Sequence, residues 1–190
     1  MNTEFDRYGP FARAVAFASY AHDGQFRKGT ALPYIVHPME VAAIAATMTN
    51  DQEVLAAAVL HDVMEDCGVT ENELRLKFGK RVAALVRAES EEKDPDAVGS
   101  WQKRKLRTVN RLRAATREQM ILTLSDKLSN LRSIRRDLIA HGDDLWRRFN
   151  QPNASMHHWY YASIGEALAP LADFDAYKEY AELISIIFYE

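Results

Sequence analysis

VLAAAVLHDVMED, residues 54–66, opens with an unbroken apolar run and ends in His61, Asp62, Glu65 and Asp66. Its first half reads as a helix buried in a core, because neighbouring positions on every side carry Val, Leu or Ala. Its second half crowds three carboxylates and an imidazole against that core. The fold must account for the first half and the chemistry for the second.

Working outward, the spacing predicts helices almost everywhere. Asn50 or Asp51 can cap the central helix, which is expected to run through VLAAAVLHDVMED until Gly68 stops it. Upstream, Val41, Ile44, Ala45 and Met48 of PMEVAAIAATM form a helical stripe. Pro38 there stands in a first turn, where its missing N–H costs nothing. Downstream, Thr70 and Glu73 make a capping box for ELRLKF, which ends at Gly79. The acidic ESEEKDPD stretch, with Pro95 and Gly99, reads as a loop. Two longer helices follow over WQKRKLRTVNRLRAA and REQMILTLSDKLSNLRSIRRDL, then a turn at HGDD, a crossing near Pro152, and helices in HHWYYASIGEAL and AYKEYAELISIIF. No run alternates with period 2 and no repeat is present. The expected class is all-α, as a single compact helical bundle spanning residues 1–190.

Composition narrows the partners. With 190 residues, 47% hydrophobic and 27% charged, the chain suits one folded domain with a sizeable core. A net charge of -3 gives no global field for nucleic acid or an anionic membrane, so any phosphate site must be local. The lone Cys67 excludes an intrachain disulfide, and MNTEFDRYGP has no basic and apolar leader pattern. The expectation is a cytoplasmic protein with a small-molecule partner, no nucleic acid and no membrane, and a homo-oligomer is compatible with it.

On a continuous helix His61, Asp62, Glu65 and Asp66 would lie at about 0°, 100°, 40° and 140°, on one side of the cylinder. Clustered carboxylates repel one another unless a cation neutralises them. A solvated acidic helix end is the competing reading of HDVMED taken alone. His37 in YIVHP adds a second imidazole. In LTLSDKLSN, Ile121, Leu124, Leu128 and Leu131 share one face, while Asp126 and Asn130 share the opposite one. His37, His61, Asp62 and Asp126 together form a mixed N/O donor set suited to Mn²⁺, Fe²⁺ or Zn²⁺ rather than calcium. Glu65 and Asp66 would then be left to orient or deprotonate a water.

AHDGQFRKG, YIVHP, HDVMED and LSDKLSNLR occur in that order, and with them the chain resembles the HD-domain hydrolases of the Rel/Spo (stringent response) family, in particular the stand-alone small alarmone hydrolases. The likeness is strongest over about residues 13–135 and weaker through the helical extension 136–190. It implies an all-helical HD domain that binds Mn²⁺ and removes the 3′-pyrophosphate of guanosine tetra- and pentaphosphate (ppGpp and pppGpp), yielding GDP or GTP. It also implies metal ligation by His37, His61, Asp62 and Asp126, and water handling by Glu65 and Asp66. Arg27 would pack on the guanine, Lys28 would lie near the nucleotide, and Lys127 and Asn130 would line the ribose and phosphate side. Cys67 stands where the family often has threonine and Ser129 where histidine is common. These departures fall outside the metal set. Because the HD-like region and its tail use up the chain, no synthetase domain is expected. The alternatives are an HD phosphohydrolase for another nucleotide, such as a phosphorylated nicotinamide dinucleotide or a nucleoside monophosphate, and a nucleotide-binding regulator without turnover.

Three features read as structural. Lys103, Arg107 and Arg111 form a basic stripe on a solvated helix face. His22 sits near a helix end, and His157 and His158 fall among Trp159, Tyr160 and Tyr161 at core-like helical spacing.

Overall fold

The computed structural model describes residues 7–90 and 101–189, and among them the regular structure is helical. All-α is therefore the fold class. Most of the ESEEKDPD stretch lies outside the described residues. The chain divides into two compact units, Met1–Glu91 and Glu92–Glu190. Among the described residues no helix is long and apolar enough to cross a membrane.

The first unit is built around α3, Gln52–Leu60, whose residues Val54 to Leu60 are all buried. Three helices cover it: α1 (Pro10–Ala21), α2 (Val36–Ala45) and α6 (Lys80–Glu89). Burying Val54, Leu55, Val59 and Leu60 contributes roughly 1.5–3 kcal/mol per side chain. Ala14 and Ala18 of α1 are fully buried, and such small side chains let helix backbones approach closely. Asp51 caps α3 by accepting from Glu53 N and Val54 N. Arg81 of α6 donates to Asp51 Oδ2 and Glu53 Oε2, each at 2.7 Å, and this hydrogen bond holds the Asp51 carboxyl below its ordinary value. All three side chains are about two-fifths exposed, so water screens the pair and its contribution is small. The Thr70–Glu73 capping box forms as expected and starts α5, Glu71–Phe78.

Two helices of the first unit differ from the sequence expectation. The helix carrying Pro38 begins two residues earlier, at Val36, so His37 lies inside its first turn. Proline remains tolerated there because first-turn N–H groups have no intrahelical partner. It also stops at Ala45, leaving Met48 in the following turn. The central helix is not continuous through Asp66. It ends at Leu60, His61 and Asp62 form a turn, and a one-turn helix α4 resumes over Val63–Asp66. Asp62, at φ -96 and ψ -6, sits at the margin of the right-handed helical region, and the ladder is rejoined when Asp66 N–H donates to Asp62 O at 2.9 Å. Gly68, at φ 68, then takes the left-handed turn that ends the segment.

The second unit contains α7 (Trp101–Leu112), α8 (Arg117–His141), a 3-10 segment over Gly142–Arg148, α9 (Ala154–Ala167) and α10 (Asp175–Tyr189). Ile121, Leu124, Leu128 and Leu131 of α8 are buried, as are Leu122 and Ile134. Arg132 clamps α8 to α10 through two 2.7 Å contacts with Glu179. Gly165 lets α9 and α10 pack closely, since a Cβ there would stand 3.3 Å from the Tyr180 ring, a tight contact. The basic stripe of Lys103, Arg107 and Arg111 is exposed along α7.

His157 is core, as its spacing suggested. It is 6% exposed, with its ring 5.0–5.4 Å from those of Trp101, Trp146 and Phe149, and its Nε2 lies 2.7 Å from Gln151 O. A carbonyl can only accept, so Nε2 carries the proton. Burial pushes the pKa below its ordinary value, which favours the neutral ring in the folded state. Below pH 6.5 the unfolded chain binds this proton more readily, so His157's contribution is present above that value and is lost as pH falls towards the folded pKa. Thermal melts should therefore show a steeper loss of Tm between pH 7.5 and 5.5 in wild type than in His157→Phe. Parallel curves would mean that the ring is protonated as easily in the fold as outside it.

Candidate metal centre

The turn that interrupts the central helix is where the first unit gathers its donors. His37, on the first turn of α2, and His61, at the end of α3, are each 3% exposed, and their rings lie 5.2 Å apart. Asp62 Oδ2 stands 2.9 Å from His61 Nε2 and 3.7 Å from His37 Nε2. The break at Asp62 aims its carboxylate at both imidazoles, so the three residues meet through a turn and not through a shared helix face.

The tautomer follows from one contact. His61 Nδ1 is 2.8 Å from Ala58 O, so Nδ1 bears the hydrogen, and the neutral ring then has its lone pair on Nε2. That lone pair and the Asp62 oxygen face each other across 2.9 Å, an arrangement that a shared cation stabilises. Both imidazoles are buried and Asp62 is half-buried, whereas Asp66 is exposed as the solvated-acid reading has it. A His/Asp site with the donor chemistry for a divalent ion therefore exists in the fold.

Tyr34 is a member of this site that the sequence reading missed. Its hydroxyl donates to Asp62 Oδ2 at 2.6 Å, and Arg27 Cζ lies 5.7 Å above its ring. The only available signal was its place three residues before His37. His22 and Gln25 brace the same region. Gln25 Nε2 donates to Asp66 O at 3.1 Å, while its Oε1 lies 2.8 Å from His22 Nδ1 and Cys67 Sγ lies 3.2 Å from that nitrogen. Burial pushes the Cys67 thiol up, so it favours the protonated form. Glu65 is half-buried and Asp66 exposed on α4; Arg27 is half-buried and Lys28 exposed in the loop before α2.

In the second unit Asp126 is 7% exposed on α8. Lys127 Nζ donates to its Oδ2, and Asn130 Nδ2 donates to its Oδ1 at 2.6 Å. Both neighbours expected on the substrate side thus hold this carboxylate in place. Outer hydrogen bonds of that kind commonly orient a ligand to a metal.

Residues 14–152 match the family model described as HD domain. The chain is 38% identical over 133 residues to the guanosine-3′,5′-bis(diphosphate) 3′-pyrophosphohydrolase of Vibrio cholerae, covering 64% of this chain and 17% of that protein. The match therefore spans less than a fifth of that relative's length. The solved structure of lmo0812 from Listeria monocytogenes is 32% identical with a TM-score of 0.72, covering 81% of this chain and 99% of that one. A metazoan ortholog of SpoT that hydrolyzes ppGpp has a TM-score of 0.76 at 22% identity, covering 94% and 95%, which is a likeness of fold.

Proposed function

The chain belongs to the HD-domain family, and from that premise we propose that it is a manganese-dependent hydrolase of guanosine 3′-pyrophosphates, releasing pyrophosphate and GDP or GTP. The carrying observation is the pair of buried imidazoles converging on Asp62 Oδ2, with His61 fixed in the tautomer that ligation needs. The printed activity of the Vibrio cholerae relative supports the choice of substrate. The reading also takes the two units as one domain, since the family match runs through both.

His37, His61, Asp62 and Asp126 would hold the ion, and each of the two histidines and Asp126 is buried and offers one ligand atom. Two imidazoles with two carboxylates suit Mn²⁺, with Fe²⁺ and Zn²⁺ as the nearest competitors. When bound, the ion supplies positive charge that makes a water more acidic and withdraws electrons from the phosphoryl group. Glu65 accepts the proton of the attacking water and Asp66 orients it. The water oxygen bonds to the phosphorus attached to O3′, the P–O3′ bond breaks, and the 3′-oxygen leaves as a hydroxyl on taking the proton that Glu65 had accepted. Lys28 answers phosphate charge, Lys127 and Asn130 steady Asp126 beside the ribose, and Arg27 presents its guanidinium plane to the guanine.

The test is product analysis with metal-loaded protein and a panel of 3′- and 5′-phosphorylated nucleotides. Pyrophosphate should appear from the guanosine 3′-pyrophosphates. Activity confined to a nucleoside monophosphate or a phosphorylated nicotinamide dinucleotide would replace the substrate, and binding without products would make the protein a regulator. Arg27→Ala should then lower kcat/KM on guanosine 3′-pyrophosphate by about 2- to 30-fold, the value of a stacking contact of roughly 0.5–2 kcal/mol. A small phosphoester with no base should be unaffected. Equal losses on both would assign Arg27 to the phosphate or the fold.

A further inference from the structure

We infer that Tyr34 is a positioning residue that sets the Asp62 carboxylate and the Arg27 guanidinium against each other, so that one side chain aligns the metal ligand with the base-reading arginine. The Arg27 half of this inference rests on the function proposed above. The Asp62 half rests on the geometry of the first unit and on the ligand role proposed for Asp62, and is independent of the substrate.

Tyr34 is itself held firmly. Its N–H donates to Gln25 O at 2.9 Å, and Arg27 N–H donates to Leu32 O at 2.9 Å, so the segment from Gln25 to Tyr34 closes on itself. Phe26 and Pro33 pair across that closure. Tyr34 O then accepts from His37 N–H at 2.9 Å, which ties the tyrosine to the first turn of α2 and to one of the imidazoles. Its ring packs 4.9 Å from that of His22 and 5.8 Å from that of His37. With the backbone tied at both ends and two imidazole rings packed against its own, the hydroxyl has little freedom of direction.

That direction is consequential. The oxygen receiving the Tyr34 hydrogen bond is Oδ2, the same atom that faces His61 Nε2 and His37 Nε2. A carboxylate rotates about its Cβ–Cγ bond, and a 2.6 Å hydrogen bond from a fixed hydroxyl selects one rotation. On the opposite side of the ring's role, the Arg27 guanidinium lies within cation–π distance of the ring face, at 5.7 Å. The hydroxyl and the ring therefore do separable work, and two substitutions separate them.

Tyr34→Phe removes the hydroxyl and keeps the ring. In the full chain stripped of metal and titrated with Mn²⁺ alone, it should bind the ion about 10-fold or more weakly, the usual effect of losing an outer hydrogen bond to a ligand. Its preference for a guanosine over an adenosine 3′-pyrophosphate, measured at saturating Mn²⁺, should match wild type. Tyr34→Leu should show the same Mn²⁺ defect and also lose that preference. Thermal melts of both variants establish that each is folded. Wild-type Mn²⁺ affinity in folded Tyr34→Phe would overturn the Asp62 half, and an intact base preference in folded Tyr34→Leu would overturn the Arg27 half. A wild-type protein that binds Mn²⁺ but hydrolyses neither nucleotide overturns the proposed substrate, and the Arg27 half with it, while the Mn²⁺ titrations still decide the Asp62 half.

Discussion

Asp62→Ala is expected to lose tightly bound Mn²⁺ and with it measurable hydrolysis, while remaining folded. The substitution removes the oxygen that faces both buried imidazoles. Losing a mere hydrogen-bond partner of a ligand costs roughly 10- to 100-fold in metal affinity, so deleting the ligand itself should cost more than the upper figure. Tyr34, itself half-buried, would forfeit its acceptor, a penalty on the order of 1 kcal/mol. The buried run Val54–Leu60 lies before the turn and is untouched, so the melting transition should survive. Metal analysis after dialysis, beside circular dichroism, measures both claims. Wild-type metal content in the variant would remove Asp62 from the ligand set.

How much of this was legible in the sequence depends on how local each cause is. The buried run of α3, the Asp51 cap and the Thr70–Glu73 capping box were readable because the deciding residues are neighbours in the chain. So was the shared face of Asp126 and Asn130, which helical spacing alone dictates, although not the hydrogen bond joining them. The break at Asp62 was not legible. Neither glycine nor proline marks it, and the partner of its carboxylate, Tyr34, is 28 residues away. Tyr34 escaped for the same reason, since an aromatic residue before a histidine has no distinctive local pattern. The helix start at Val36 escaped because proline is tolerated at several first-turn positions, so Pro38 fixed the turn without fixing the first residue.

Glu65→Gln should retain Mn²⁺ but lower kcat by about 10²- to 10⁴-fold, the range associated with losing a general base. The side chain keeps its length and a carbonyl oxygen, and loses only the capacity to take a proton. Glu65 is three residues after Asp62, at the middle of α4, and is half-buried, whereas Asp66 is exposed. A base shielded from bulk water competes better for the proton of one particular water than a base that bulk water solvates, so Glu65 is the stronger candidate of the two. Because the lost interaction belongs to the transition state and not to substrate binding, KM should change little while kcat and kcat/KM fall together. The pH profile supplies the second reading. If Glu65 is the base, the acidic limb of kcat that reports its protonation should disappear in the variant, leaving a slow rate that is flatter with pH. Unchanged turnover with the acidic limb intact would transfer the proton to Asp66, and a loss of Mn²⁺ from the variant would make Glu65 part of the ligand set and not the base.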